Sequence, residues 1–364
     1  MVQDINIQVL LSLLRIAVGA EPQRVAFEGV DWQKVYLHAR QQGVLAVAFD
    51  GLMKLLEQDA ELVHSFPKPL KLQWITAALT IEKRYDNARK AAAELAEKWA
   101  ECGIKTVCMK GMAFSTYYPV PNHRECGDFD CYLFDDYVKG NAVARELGAK
   151  VADDFYKHSE IIYKKLMVEN HQYIVATRES KKRRALNALL DGLLRDEKSL
   201  SPIFDTKILM PQPMFNALFM TYHSYTHFLS EGIRLRHILD WALFLKSEQD
   251  RLDWGEFYAI CEAQHLRAFV DVQTAIAVEV FGVDVSQSAI TTTSPYTERV
   301  LQSIMEDDTA IFSQGMSKWR TRMMMLRNLF ASRWKYRAFS DRGVLTTLLS
   351  LAWGFIVHPE ADTE

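Results

Sequence analysis

The chain has 364 residues, 49% of them hydrophobic and 24% charged, the balance of a globular protein that buries roughly three-quarters of its unfolded surface. Collagen-like, disordered and disulfide-scaffold classes are excluded by that composition. With 43 Lys+Arg against 46 Asp+Glu the formal charge is -3, so no global basic field draws the chain onto duplex DNA or an anionic bilayer.

In chain order, Asp4 precedes an apolar stretch in which Ile5, Val9, Leu13 and Ile16 share a helix face. That spacing predicts a folded helix rather than a cleavable signal. Helix periodicity continues to about residue 100, broken by Pro67 and Pro69; a long charged helix over 70–100 is expected, ended by Gly103. The period then changes. Residues 104–109 and 128–134 read as strands, and 159–165 with 168–177 as an alternating hairpin. Short helices are expected over 112–118, before Pro119 and Pro121, and over 136–147, before Gly148.

From about Pro211 the helical period returns, over 211–229 and 234–246. Asp253 with Glu256 three residues on has capping-box spacing, and Ser294-Pro295 marks a further helix start. The run Lys181-Lys182-Arg183-Arg184 reads as a solvated helix start, with a phosphate or RNA contact as its functional alternative. The expected fold class is α+β, a small mixed β-sheet core flanked by N-terminal and C-terminal helical regions, divided as 1–100, 101–205 and 206–364. Tryptophans and Met323 to Met325 read as core. The apolar segment 343–357 is shorter than the roughly 20 residues a bilayer span needs and reads as a buried terminal helix. Five cysteines with no CxxC pair point to a reduced, cytoplasmic setting.

The chemistry concentrates in residues 110–130, KGMAFSTYYPVPNHRECGDFD. Asp128 and Asp130 lie two apart on an expected strand, so both carboxylates face one side while Phe129 faces the other. Paired carboxylates suit a hard divalent cation that also takes phosphate oxygens and water; an edge pair of this kind can also be plain solvated acid. Gly111 lets backbone approach a ligand at a helix start, where free N–H groups favour phosphate. Lys110 and Arg124 bring positive charge to the same stretch.

A strand, a Lys-Gly turn, a short helix and then Arg-x-x-Gly-Asp-x-Asp on the next strand resembles the nucleotidyltransferase superfamily with the DNA polymerase β-like palm. Within it, the sequence is most similar to a branch of uncharacterised bacterial nucleotidyltransferase family proteins. Its most specific parts are Lys110-Gly111, Arg124 and Gly127-Asp128-Phe129-Asp130. His223-x-x-x-His227 followed by GIRLRHILDWALFL over 232–245 extends the likeness, which covers about residues 85–265.

This resemblance implies a metal-dependent enzyme that moves a nucleoside monophosphate from an NTP, ATP being the expected one, to an acceptor hydroxyl with release of pyrophosphate. Asp128, Asp130 and a third carboxylate would hold Mg²⁺ or Mn²⁺, with Lys110, Gly111 and Arg124 on the nucleotide. Glu169, which shares a strand face with His171, is the candidate third carboxylate, as ligand or general base; Glu160 and Asp154 compete with it. The wider superfamily has Gly-Ser at the phosphate turn, whereas Met112 follows Gly111 here, which leaves Lys110 to compensate for a missing hydroxyl. His171, His223 and His227 are the substrate-facing candidates. The spacing of His223 and His227 could also suit zinc, but no Glu follows His223 directly. Arg236 and Asp240 at i,i+4 read as a helix ion pair. The acceptor is expected to be a small molecule or protein rather than RNA, with no DNA duplex and no membrane span. The alternative is a catalytically decayed nucleotide-binding or partner-docking protein on the same fold.

Overall fold

A computed structural model describes residues 3–21, 27–58, 62, 66–153, 155–178, 180–196, 199–306, 332–341 and 343. Asp154, Met323 to Met325 and all but the first residue of the apolar segment 343–357 lie outside these. Helices α1 (Ile5–Ala17), α2 (Trp32–Gln41), α3 (Leu45–Gln58) and α4 (Lys68–Glu101) come first. Asp4 caps α1 by accepting from the Asn6 N–H at 2.7 Å, and Gly103, at φ +75°, lets the chain turn back so that the Ile104 N–H reaches the Trp99 carbonyl.

The centre alternates short strands and helices: β1 (Thr106–Cys108), α5 (Met112–Ser115), β2 (Phe129–Tyr132), α6 (Tyr137–Glu146), β3 (Lys150–Ala152), β4 (His158–Tyr163), β5 (Leu166–His171) and α7 (Lys181–Arg195). Two further strands follow, β6 (Ser201–Pro202) and β7 (Ile208–Met210). The strands form one mixed sheet in the order β3-β4-β5-β2-β1-β7-β6. β4 and β5 form the expected hairpin, turned at Lys164 and Lys165, both at positive φ, with β5 ending at His171 rather than running on to 177. β3, β6 and β7 carry no alternation a sequence reading could detect, being only two or three residues long. β7 nevertheless pairs parallel to β1 and widens the sheet on that side.

One sheet face lies under α4 and α6, locked by the Trp99 indole N–H to the Gly140 carbonyl at 3.0 Å. On that side Asn141 accepts from both Ser159 and Asn170 at 2.8 Å. The helical half comprises α8 (Pro213–Ser230), α9 (Leu235–Glu248), α10 (Trp254–Ala263), α11 (Arg267–Glu279), α12 (Thr297–Glu306) and α13 (Arg333–Phe339). Asp253 caps α10 through the Glu256 N–H, as its spacing predicts. Trp74, Trp99 and Trp241 are fully buried. Among the described residues no helix is long and apolar enough to cross a membrane.

Candidate active site

Asp128 immediately precedes β2 and Asp130 lies within it, with the intervening Phe129 fully buried in the core. β5 runs parallel to β2 in a register that sets Glu169 opposite Asp130 and His171 opposite Tyr132. Paired residues project to the same side of a sheet, so the two aspartates and Glu169 converge, each offering an oxygen within 4.8 Å of the others. Asp130 is 1% exposed, and its Oδ2 atom has no hydrogen-bond partner among the described residues. A buried carboxylate oxygen left unsatisfied is costly unless a ligand completes it.

Lys110, just past the end of β1, puts its ammonium 3.0 Å from Asp130 Oδ1 and 3.6 Å from Asp128 Oδ2. Burial alone would press Lys110 to lose its proton, but the surrounding carboxylates of Asp130, Asp128 and Glu169 outweigh it and hold the ammonium above its ordinary value. For Glu169, burial works upward; the His171 hydrogen bond and the charge of Lys110 prevail and bring its carboxyl down to about 2. Glu169 is therefore ionised at neutral pH, the state that binds a cation. Three carboxylates face one lysine here, an anionic excess that fits a divalent cation.

Gly111 follows Lys110 at φ +62° and caps the single turn of α5. A Cβ there would meet the Asp128 carbonyl oxygen at 3.3 Å, so conformation and space both call for glycine. The turn is braced from behind by the Tyr85 hydroxyl against Ser115 Oγ at 2.6 Å.

Arg124 is committed to a carboxylate of its own. Its guanidinium donates two bonds of 2.8 Å to the Asp240 carboxylate and one of 3.1 Å to Cys126 Sγ, and it lies over the Phe114 ring. Tyr118 adds a 2.6 Å bond to Asp240. Both ions are almost wholly buried. Asp240 thus pairs with Arg124 rather than with Arg236, whose guanidinium reaches the Glu125 carbonyl instead.

Glu160 is the β4 partner of Glu169, one strand farther from Asp130. His171 is buried with Nε2 at 3.2 Å from Asp130 Oδ1 and 3.3 Å from Glu169 Oε2. His223 and His227 stack edge-on at 4.4 Å on α8, and His237 of α9 stands 6.1 Å from each. Burial, and then the charge of Lys110, push the His223 imidazole well down toward neutrality. His158, opposite His171 in the hairpin, and His237 were not among the expected site residues. Alternation with Glu160 marks His158 as facing the same side; no local signal marks His237.

A solved structure, of an antigenic nucleotidyltransferase-like protein from Paracoccidioides brasiliensis, is similar over 57% of this chain and 98% of its own at 14% identity, with a TM-score of 0.34. No curated protein is a significant match. The family model described as "Uncharacterised nucleotidyltransferase" matches residues 28–282, a span that takes in the whole sheet, the Lys110 turn, the carboxylates and the histidine pair. Matched over more than half its length, the chain belongs to that nucleotidyltransferase family.

Proposed function

We propose that the chain transfers a nucleoside monophosphate from an NTP, ATP being the first to test, to an acceptor hydroxyl with release of pyrophosphate. The observation that carries this reading is the convergence of Asp128, Asp130 and Glu169 around a buried, unsatisfied carboxylate oxygen, with Lys110 as the only ammonium paired with them among the described residues. The three carboxylates would hold Mg²⁺ or Mn²⁺, which when bound would supply positive charge to offset that developing on the phosphate oxygens. Lys110 is placed to exchange a carboxylate for a phosphate oxygen, supplying charge without a Ser hydroxyl at the turn. Gly111 lets the phosphates approach the backbone closely. Arg124, committed to Asp240, would act by holding the segment 124–128 in place rather than by touching nucleotide. Glu169 beside the aspartate pair supports catalysis over a decayed fold, for which no observation speaks separately.

The test is incubation of the purified chain with Mg²⁺ and each labelled triphosphate, following pyrophosphate release and label transfer to the protein itself or to components of a cell extract. Mg²⁺-dependent pyrophosphate release coupled to labelling is expected. Triphosphate binding with no release from any of the four nucleotides would overturn the reading.

A further inference from the structure

A second set of donors shares Glu169 with the transfer site. His158, Glu169 and His171 each offer one ligand atom within 4.8 Å of the others. They occupy one sheet face because His158 and His171 are direct partners in the β4–β5 hairpin and Glu169 lies two residues before His171. Both histidines are buried. The His158 ring is held between Phe155, stacked at 5.9 Å, and His171 at 5.2 Å.

The orientation of His171 suggests a ligand. Its Nδ1 lies 3.3 Å from the Tyr173 carbonyl, the outward hydrogen bond that typically fixes the ring of a metal-binding histidine and leaves Nε2 as donor. That Nε2 faces carboxylate oxygens of Asp130 and Glu169 at 3.2 and 3.3 Å. Two ligand atoms at right angles on one small dication stand about 3 Å apart, given bonds of about 2.1 Å, so these separations are those of neighbouring ligands.

We propose that His158, Glu169 and His171 form a second cation position, joined to the carboxylate position through Glu169, that takes a divalent transition metal of the Mn²⁺, Co²⁺ or Zn²⁺ class. Two imidazole nitrogens and one carboxylate suit such ions, whereas Mg²⁺ prefers the all-oxygen set of Asp128, Asp130 and Glu169. The inference rests on the transfer reading only through the shared Glu169.

Mn²⁺ added to the metal-stripped full chain tests it, with stoichiometry from calorimetry and nitrogen ligation from pulsed electron paramagnetic resonance. Two equivalents per chain are expected, one of them with ¹⁴N coupling. His158→Asn should weaken that equivalent at least tenfold, and His171→Asn should cut its coupling from two nitrogens to one. Asp128→Asn should weaken the other equivalent and keep the nitrogen-coupled one, which preserves the test if a histidine variant fails to fold. A single equivalent without ¹⁴N coupling in the wild type, or unchanged binding by a folded His158→Asn protein, overturns the proposal. Transfer that runs in Mg²⁺ alone while ¹⁴N coupling is absent sinks this inference and spares the proposed function. Nitrogen-coupled Mn²⁺ on a chain that transfers no nucleotide does the reverse.

Discussion

Two charge clusters meet in the segment around β2, one almost wholly buried about Arg124 and Asp240, the other partly open about Lys110, Asp128, Asp130 and Glu169. Around Arg124 the ledger balances: one guanidinium meets one carboxylate bidentately, and Tyr118 and Cys126 take up further bonding capacity. Around Lys110 it does not, because three carboxylates surround one ammonium and Asp130 keeps an unsatisfied oxygen. A balanced pair pins elements together, here the segment before β2 to α9. An unbalanced cluster stores a demand for a cation. Excess charge is what distinguishes the proposed site from the structural joint.

The largest effect that sharpens this contrast is expected for Asp128→Asn and Asp130→Asn. Each would remove a proposed ligand of a cation whose charge stabilisation is worth several kcal/mol in the transition state, so pyrophosphate release should fall by about 10³-fold or more. The metal-free melting temperature should hold, because one of three mutually repelling carboxylates is gone. A collapse of melting temperature in both variants would mean that the cluster is structural after all. Glu169→Gln should leave triphosphate binding largely intact and lower turnover by roughly 10²- to 10⁴-fold, a split read from nucleotide affinity against single-turnover rate.

Asp240→Asn tests the balanced cluster. It strands a buried guanidinium, and breaking such a pair costs about 3–5 kcal/mol of stability, measurable by urea unfolding. Nucleotide affinity of the protein that remains folded should change little, since Arg124 faces Asp240; a loss of affinity beyond the loss of folded protein would return Arg124 to the nucleotide.

The smallest effect concerns His123, just before Arg124, whose ring lies 2.8 Å from Asp50 and 2.9 Å from Glu82. Burial lowers its tendency to charge, but the hydrogen bonds and charges of Asp50 and Glu82 win and raise it above the ordinary value. A raised group contributes stability that is full below its unfolded value of about 6.5 and lost as pH rises through the folded one. The wild type should therefore lose more melting temperature between pH 6 and 9 than His123→Gln. Equal slopes would show that the ring stays neutral.

Features with a local cause were legible in the sequence. Period-two alternation puts Asp128 and Asp130 on one face whatever the strand pairs with, and the caps at Asp4 and Asp253 follow from short polar side chains ahead of apolar periodicity. Helix positions through both flanks follow from the 3.6 period.

Tertiary structure decided the rest, because strand register and ion-pair partners are set by contacts across long stretches of chain. Only the parallel pairing of β2 with β5 sets Glu169 rather than Glu160 opposite Asp130. Asp240 lies 116 residues from Arg124, and its local i,i+4 partner Arg236 is drawn to the Glu125 carbonyl instead. β7 is three residues long, too short to carry a period, and joins the sheet because β1 offers it a free edge. Which faces a side chain can take is dictated by its neighbours in sequence; which charge stands opposite it depends on the pairing energy of the whole sheet.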